Sequence, residues 1–433
     1  MGVSETHLMG GVGVEEQRKL IVGFDLGEDY SQISCYSFKI FEPKSVCLTE
    51  EEEHYLIPTV LCVKNDTKEW LYGDEAIACD SITEGVFADA LLAKISAGET
   101  VKIFDIPFTG ILLLEKFFRK TLMLLKKYFP TESITKIVVT IRDMEPKLVE
   151  GIYEALALLG LDKDRATILS HAQCYLYYAL SQNQELWRND VGLFEFDATG
   201  LSYYQININR RLHPMIAGVM KQNFADTLDY DRLHNPDANA EYTFKNIANN
   251  VMYKQIISTL YFTGKGFEGS WADEIIKSFC TGRRAFKGQN LYTKGACYAA
   301  RELTGEKKFS DFLFLSDEMI MTSVTIHVYQ DGMIKEVVLT KEAVPWYEVN
   351  ESVEVILDAE QEIEIYLKNI MSREIVKKKL LLNNLPERPN RMTRLLINLT
   401  CLERTTAKIN VMDLGFGAIY EGTDRSWELT FEL

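Results

Sequence analysis

The sequence lacks the residue arrangements that build zinc sites and disulfide frameworks. Its eight cysteines are widely separated, with no Cys-x-x-Cys pair, and its six histidines show no His-x₃-His spacing. Scattered cysteines of this kind are typical of buried thiols in a reducing compartment. We therefore expect a cytoplasmic protein without a structural metal.

The chain also lacks an excess of positive charge and a long uncharged apolar run. Forty-seven Lys and Arg face 63 Asp and Glu, for a formal net charge of −16, which argues against non-specific binding of nucleic acid. The most apolar helix candidate, 111–129, carries five Lys or Arg and one Glu, so it is not a membrane span. We expect neither a nucleic-acid nor a membrane partner.

At 433 residues, with 47% hydrophobic and 11% aromatic residues, the chain predicts a folded protein of two or three domains. Residues 134–141 read as a buried strand, and 146–161 and 171–182 as helices. Such alternation is typical of a mixed or parallel sheet flanked by helices. The stretch 207–255 is polar and favours helix.

The hydrophobic pattern changes near residue 312, where strands alternate with polar turns and no long helix follows. This shift predicts a domain boundary. We expect a disordered tail at 1–18, a first domain at 19–305, a linker at 306–317 and an all-β domain at 318–433.

Two stretches of the chain resemble each other. Residues 20–34 (LIVGFDLGEDYSQIS) and 191–206 (VGLFEFDATGLSYYQI) are each an apolar strand ending in Phe-Asp, a short turn with one Gly, and a second strand. Backbone N–H groups at such tips can bind anions, and the carboxylates of Asp25 and Asp197 can hold Mg²⁺ through water. The pair predicts a phosphate-binding cleft, whereas one copy would be an ordinary hairpin.

Further motifs follow in the same order: ATILSHAQCYLYYAL, then YFTGKGFEGSWADE with KGACYAA, and the apolar segment DFLFLSDEMIM. Together with the two hairpins they resemble the actin-like ATPase superfamily, and most closely its seventy-kilodalton heat-shock chaperones, as a divergent bacterial branch. The resemblance implies an α/β fold: a duplicated actin-like (ribonuclease H-like) ATPase domain, followed by an all-β sandwich that binds peptides. A helical lid is not expected.

The resemblance also implies a site for ATP or ADP with Mg²⁺. Asp25 and Asp197 would hold the Mg²⁺ through water, and with Gln173, which would orient the attacking water, they would be the catalytic residues. The other implied residues line the nucleotide: Gly27, Ser31, Thr199 and Gly200 at the phosphates, and Gly264 and Gly266 at the nucleoside. His171, beside Gln173, is expected to be a surface or capping residue.

Three departures from the chaperone pattern argue against vigorous hydrolysis. Glu28 and Asp29 stand where the chaperones have two Thr, and their charges would repel a triphosphate. The Gly-Gly-Gly run of the second hairpin is reduced to Ala-Thr-Gly. The stretch from Asp197 to Gly264 is too short for the lobe that clamps the base.

Three functions remain open. The first is a chaperone-like protein that binds nucleotide weakly, with at most weak ATPase activity, and a protein or peptide partner through 318–433. The second is a pseudo-ATPase scaffold that keeps the fold for interaction. The third is a kinase of the same superfamily.

Overall fold

The structure is a computed structural model that describes the chain in seven segments: 19–47, 54–81, 84–235, 239–358, 360–372, 374–423 and 425–433. The tail predicted at 1–18 lies outside the described residues. The chain forms two compact units. Unit 1 is drawn from Met1–Ile141, Lys147–Leu169 and Tyr292–Lys307, and unit 2 from Arg142–Pro146, Ser170–Leu291 and Lys308–Leu433.

The described residues form helices and strands throughout, which confirms the predicted mixed α/β class. The strands are β1 Leu20–Leu26, β2 Tyr30–Ser37, β3 Glu42–Ser45, β4 Ile57–Pro58, β5 Leu61–Lys64, β6 Trp70–Tyr72, β7 Gly85–Ala88, β8 Thr100–Ile103, β9 Ile106–Thr109, β10 Ile134–Ile141, β11 Ala166–Ser170, β12 Asp190–Asp197, β13 Gly200–Asn209, β14 Met215–Asn223, β15 Ile257–Thr263, β16 Arg284–Lys287, β17 Phe312–Leu315, β18 Thr322–Gln330, β19 Met333–Thr340, β20 Asn350–Ile356, β21 Glu362–Asn369, β22 Ile375–Leu381, β23 Arg394–Glu403, β24 Thr406–Gly415 and β25 Ser426–Glu432. The α-helices are α1 Gly73–Ser81, α2 Leu91–Ala97, α3 Gly110–Leu122, α4 Leu125–Tyr128, α5 Pro146–Ala157, α6 His171–Ser181, α7 Tyr230–His234, α8 Ala240–Val251, α9 Asp273–Phe279 and α10 Leu291–Leu303.

Unit 1 is organised around a six-stranded sheet of order β11-β10-β1-β2-β3, with β4 also paired to β2. Strands β1, β2 and β3 are antiparallel, whereas β10 runs parallel to β1. Strand β1 is buried along its whole length and β10 over its second half, as expected of apolar runs inside a covered sheet. A three-stranded sheet of order β6-β5-β7 and the hairpin β8-β9 complete the strands described in this unit.

The first sheet of unit 2 has the order β16-β15-β12-β13-β14-β17. Strands β12, β13 and β14 are antiparallel, and β15 runs parallel to β12. Both six-stranded sheets therefore place a parallel strand beside the first strand of an antiparallel run of three. Stacked and edge-on aromatic rings fill the core beside β12, where the Phe194 ring lies 5.3 Å from that of Phe244 and 5.5 Å from that of Phe262.

The C-terminal part of unit 2 contains two four-stranded antiparallel sheets. The front sheet has the order β19-β18-β21-β22, and the back sheet has the order β20-β23-β24-β25. Alternate residues of both sheets form one hydrophobic core, as the two-residue repeat of β-strands requires. Its most buried members include Val324, Ile326, Ile365, Leu395, Ile397, Leu399, Ile409 and Val411.

Most of the predicted elements are confirmed. The helix expected at 111–129 is present as α3 and α4, those at 146–161 and 171–182 as α5 and α6, and the strand at 134–141 as β10. The described residues after 312 form strands and no α-helix. Within the expected linker, Phe312–Leu315 pairs with β14 in the first sheet of unit 2.

The interpretation of 207–255 as helix-leaning is wrong for its first part. Met215–Asn223 forms β14, which pairs with β13 over eight residues. Its sequence, MIAGVMKQN, has weak intrinsic strand preference, so pairing with β13 and burial of Ile216 and Ala217 decide the outcome. The second part is helical, in α7 and α8.

A buried ion pair joins Arg388, in the loop between β22 and β23, to Asp413 on strand β24. Arg388 donates to both carboxylate oxygens of Asp413, over 2.7 and 2.8 Å, and the two side chains are only 4% and 0% exposed. Asp413 also accepts bonds from the backbone and hydroxyl of Thr423. Burial alone would raise the pKa of Asp413, but these donors hold it well below its usual range.

We predict that Arg388→Met destabilises the protein by about 3–5 kcal/mol, because it leaves the Asp413 carboxylate buried without its cation. The measurement is denaturant unfolding of the full chain followed by tryptophan fluorescence. Arg391→Met is the matched control, since the Arg391 side chain is 66% exposed where it contacts Asp358. Equal effects of the two substitutions would contradict this assignment.

Candidate functional site

The first hairpin, formed by β1 and β2 in unit 1, carries Asp25 near the end of β1. Asp25 is 9% exposed and lies in register with Gln32 on β2 and Thr140 on β10. A Cβ atom at Gly27 would lie 2.5 Å from the carbonyl oxygen of Tyr30, so the tight turn requires glycine there.

The hydroxyl group of Ser31, on β2, connects this hairpin to Thr59, the residue that directly follows β4. Ser31 is fully buried, and its Oγ lies 2.9 Å from Oγ1 of Thr59. The Thr59 amide also donates to the carbonyl oxygen of Asp29, over 2.9 Å. Partial burial and the negative charge of the adjacent Asp29 raise the pKa of Glu28.

The second hairpin, formed by β12 and β13 in unit 2, carries Asp197 at the end of β12. Both carboxylate oxygens of Asp197 accept from Arg142, with Nη1 at 2.9 Å from Oδ1 and Nη2 bonded to Oδ2. Thr199 donates to Oδ1 through its amide and its hydroxyl, over 2.9 and 2.8 Å, and Thr199 Oγ1 also accepts from Arg142. The Asp197 carboxylate is thus engaged by one guanidinium and one turn residue.

A second carboxylate, Glu195, lies two residues earlier on the same strand. Arg142 Nη2 lies 3.0 Å from Glu195 Oε1, and His171 Nδ1 lies 3.3 Å from the same oxygen. The hydroxyl of Tyr204 donates to Oε2 of Glu195, over 3.0 Å. We call Arg142, His171, Glu195, Asp197 and Tyr204 the Arg142 cluster.

His171 is buried in this cluster, with 6% of its surface exposed. Its interpretation as a surface or capping residue is therefore wrong. The helix cap is instead made by Ser170, whose side chain accepts a hydrogen bond from the Gln173 backbone amide. In return, the side-chain oxygen of Gln173 accepts a hydrogen bond from the Ser170 backbone amide, over 2.8 Å. The Gln173 oxygen that was expected to orient water is therefore bonded within the start of α6.

The pKa values of the two carboxylates in the Arg142 cluster are shifted in opposite directions. Burial would raise the pKa of Glu195, but Arg142 and the bond from His171 lower it well below its usual range. Burial raises the pKa of Asp197, and the charge of Glu195 adds to this although Arg142 opposes it. Glu195 is thus held ionised by Arg142 and His171 together, whereas Asp197 shares the Arg142 guanidinium with a second carboxylate.

The second hairpin does not fit a Mg²⁺–phosphate cluster. The Asp197 oxygens that would face such a cluster are bonded to Arg142, whose positive charge opposes a nearby divalent cation. Across the described parts of the chain, no group of three or more His, Cys, Asp or Glu residues is placed to hold a metal ion. The Asp197 carboxylate is therefore committed to Arg142 and does not offer the open oxygens that would hold Mg²⁺ through water.

The remaining predicted glycines are required by packing. A Cβ atom at Gly264 would lie 2.2 Å from the Phe196 carbonyl oxygen, and one at Gly266 would lie 2.4 Å from the Phe196 ring. One at Gly200 would lie 2.6 Å from Ala225. Gly200 and Gly264 also have positive φ angles, of 103° and 96°. Chain packing in unit 2 is thus sufficient to explain these three glycines.

Arg142 and Glu195 were not predicted to be site residues, although the sequence around each of them has an unusual feature. Glu195 is an acidic residue inside an apolar strand, VGLFEFD, and a buried carboxylate needs a partner. Arg142 is the basic residue that directly follows the buried strand β10. Sequence alone did not join them, because 53 positions separate the two residues.

The fold and the site define a mixed α/β protein with a buried carboxylate–guanidinium cluster. Residues 42–317 match a family of unknown function (DUF5716), C-terminal, and the chain belongs to this family. Residues 319–433 match a domain of unknown function (DUF8552). A search of curated proteins found no match. No helix among the described residues is long and apolar enough to cross a membrane.

We predict that Glu195→Gln lowers the free energy of unfolding at pH 7 by about 1–3 kcal/mol, because it weakens the charged bonds to Arg142 and His171. A depressed pKa stabilises the fold above the ordinary Glu pKa and loses that effect as protons bind. The difference from wild type should therefore shrink as the pH falls from about 5 to about 3.

Denaturant midpoints of both proteins across this pH range test the prediction. Glu185→Gln is the control, since the Glu185 side chain is 73% exposed. A gap between wild type and Glu195→Gln that stays constant with pH would show that the carboxylate is not held ionised.

Proposed function

We propose that this chain is a pseudo-ATPase scaffold: a divergent actin-like protein that keeps a duplicated fold for protein interaction and does not turn over nucleotide. The observation that carries the proposal is the engagement of Asp197 by Arg142. The shared strand pattern of the two six-stranded sheets supports the duplicated scaffold. The sequence resemblance to the seventy-kilodalton chaperones supports a β-sandwich in the C-terminal sheets.

Electrostatics favour the scaffold over a hydrolase. At the first hairpin, Glu28 and Asp29 bring negative charge to a turn where a hydrolase would bind phosphate. At the second hairpin, a guanidinium stands where the resemblance implies Mg²⁺. A divalent cation there would have to displace Arg142 and leave Glu195 without its main cationic partner, which is costly for a buried carboxylate.

A second candidate, the chaperone-like protein with weak nucleotide binding, is favoured by the contacts of Asp317. Its Oδ2 accepts from the Lys221 amide on β14 over 2.8 Å, and its Oδ1 lies 3.2 Å from Nη1 of Arg404 at the end of the back sheet. Arg404 Nε also donates to the Met319 carbonyl oxygen, over 3.2 Å. These bonds directly connect the first sheet of unit 2 to its C-terminal sheets.

We place the partner surface on the front sheet. Its outer face carries exposed apolar residues, with Tyr329 68%, Ile334 73% and Ile375 65% exposed. The outer face of the back sheet carries polar pairs, such as Ser352 with Asn398 over 2.8 Å, and its apolar side chains are less exposed, with Ile356 at 55% and Met412 at 37%. Large exposed apolar side chains on one of two faces favour that face for binding.

The partner that fits best is an extended apolar segment of another protein, added along β19. Strand β19 is the edge of the front sheet, so one side of its backbone has no paired strand among the described residues. Backbone pairing would supply affinity, and contacts with Ile334 and Val338 would supply selectivity.

The scaffold proposal is tested by thermal unfolding of the full chain with Mg-ATP, with Mg-ADP and without nucleotide. We expect no change in the unfolding temperature of wild type. A bound ligand at a hundredfold excess over its Kd would stabilise the fold by about 2.7 kcal/mol, which is easily detected. Arg142→Ala should acquire a small Mg²⁺-dependent shift, because both carboxylates lose their cation.

Arg232→Ala is the control for this series, since Arg232 forms an exposed pair with Asp229. A wild-type shift that Asp197→Ala abolishes would reject the scaffold and support the chaperone-like candidate. Absence of any shift in Arg142→Ala would contradict the blocking role of Arg142.

The partner surface is tested by titrating the full chain with a library of extended apolar peptides. We predict that Ile334→Lys weakens binding at least about tenfold, because an apolar contact is lost. Ser352→Lys on the back sheet should leave binding unchanged. Equal loss in both variants, or no binding across the library, would contradict the assignment to the front sheet.

A further inference from the structure

Two buried thiols of unit 1 lie side by side. Cys62 is on β5 and Cys79 is near the end of α1, and both belong to one small hydrophobic cluster. A Cβ atom placed on Gly85 would lie 2.4 Å from the Sγ of Cys62 and 2.9 Å from the Sγ of Cys79. A single methyl group would thus touch both sulfur atoms, and the missing side chain of Gly85 leaves the space that they share.

We infer that Cys62 and Cys79 form a reversible disulfide when a low-molecular-weight disulfide is present. The bond would fix α1 to β5, two elements that already pack against each other. It does not depend on the function proposed above.

The reaction proceeds by two thiol–disulfide exchanges. Cys79, which is 5% exposed on the last turns of α1, attacks the small disulfide, forms a mixed disulfide and releases one small thiol. Cys62 then loses its proton and attacks the Cys79 sulfur, which releases the second small thiol. Two protein S–H groups are oxidised, and one small disulfide is reduced to two thiols.

Burial and the adjacent Cys79 raise the pKa of the Cys62 thiol to about 12. Because the thiolate is the attacking species, the second exchange should be slow at pH 7 and accelerate roughly tenfold per pH unit over the alkaline range below that pKa. The disulfide would therefore form over a long exposure to oxidant.

The bond would act close to the first hairpin. Helix α1 begins at Gly73, whose amide donates to the carbonyl oxygen of Val60. The residue before Val60 is Thr59, which bonds to Ser31 and Asp29 at the turn of the hairpin. Fixing α1 to β5 should therefore restrict the segment that supports this turn.

The test uses the reduced full chain, incubated with oxidised glutathione under native conditions and digested without reductant for mass spectrometry. We expect a linked peptide pair containing Cys62 and Cys79, and two fewer thiols available to an alkylating agent after denaturation. Cys62→Ala should instead accumulate glutathione on Cys79, because the resolving thiol is missing. Cys79→Ala should leave Cys62 reduced.

Cys35 and Cys297 provide the internal comparison, because they are a second pair of buried thiols, 4% and 0% exposed. Cys35 lies on β2 and Cys297 in the middle of α10, so neither thiol is near a helix end, and both should stay reduced. Linkage of Cys35 to Cys297 in place of the proposed pair would overturn the inference. It would also be overturned if Cys62 and Cys79 both remain alkylatable after prolonged oxidation at pH 9, or if Cys62→Ala takes no glutathione on Cys79.

Discussion

Burial of Glu195 between Phe194 and Phe196 on β12 is the constraint on which the candidate site depends. A carboxylate with 4% of its side chain exposed needs a cation and hydrogen-bond donors, and Arg142, His171 and Tyr204 supply them. Arg142 has a planar fork of donors, so the same group also reaches Asp197. The guanidinium that balances the buried charge of Glu195 therefore also occupies the carboxylate of Asp197 at the hairpin tip.

Packing around Phe196 gives the second constraint. Gly264 and Gly266 must lack side chains because the loop that they begin lies directly on this residue. Packing against Phe196 is therefore enough to fix the shape of this loop without a bound ligand. This separates the fold, which sterics preserve, from the chemistry, which depends on the charges at the two hairpins.

The sequence was informative where local pattern decides structure. The apolar run of β10, the amphipathic spacing of α3 and α5 and the alternation after residue 312 predicted those elements, because burial follows from residue type and period. It failed at β14, where pairing with β13 outweighs weak local preference. The Arg142 cluster could not be assembled from sequence, because it joins residues that come together only through the fold.

A double-mutant cycle of Arg142→Ala and Asp197→Ala is the decisive measurement, since it isolates the bond between these two residues. The free energy of unfolding is measured for wild type, both single variants and the double variant. We predict a favourable coupling free energy of about 0.5–3 kcal/mol, as is typical of residues in contact. Additive effects of the two substitutions would show that Arg142 does not engage Asp197 and would contradict the blocked hairpin on which the scaffold proposal depends.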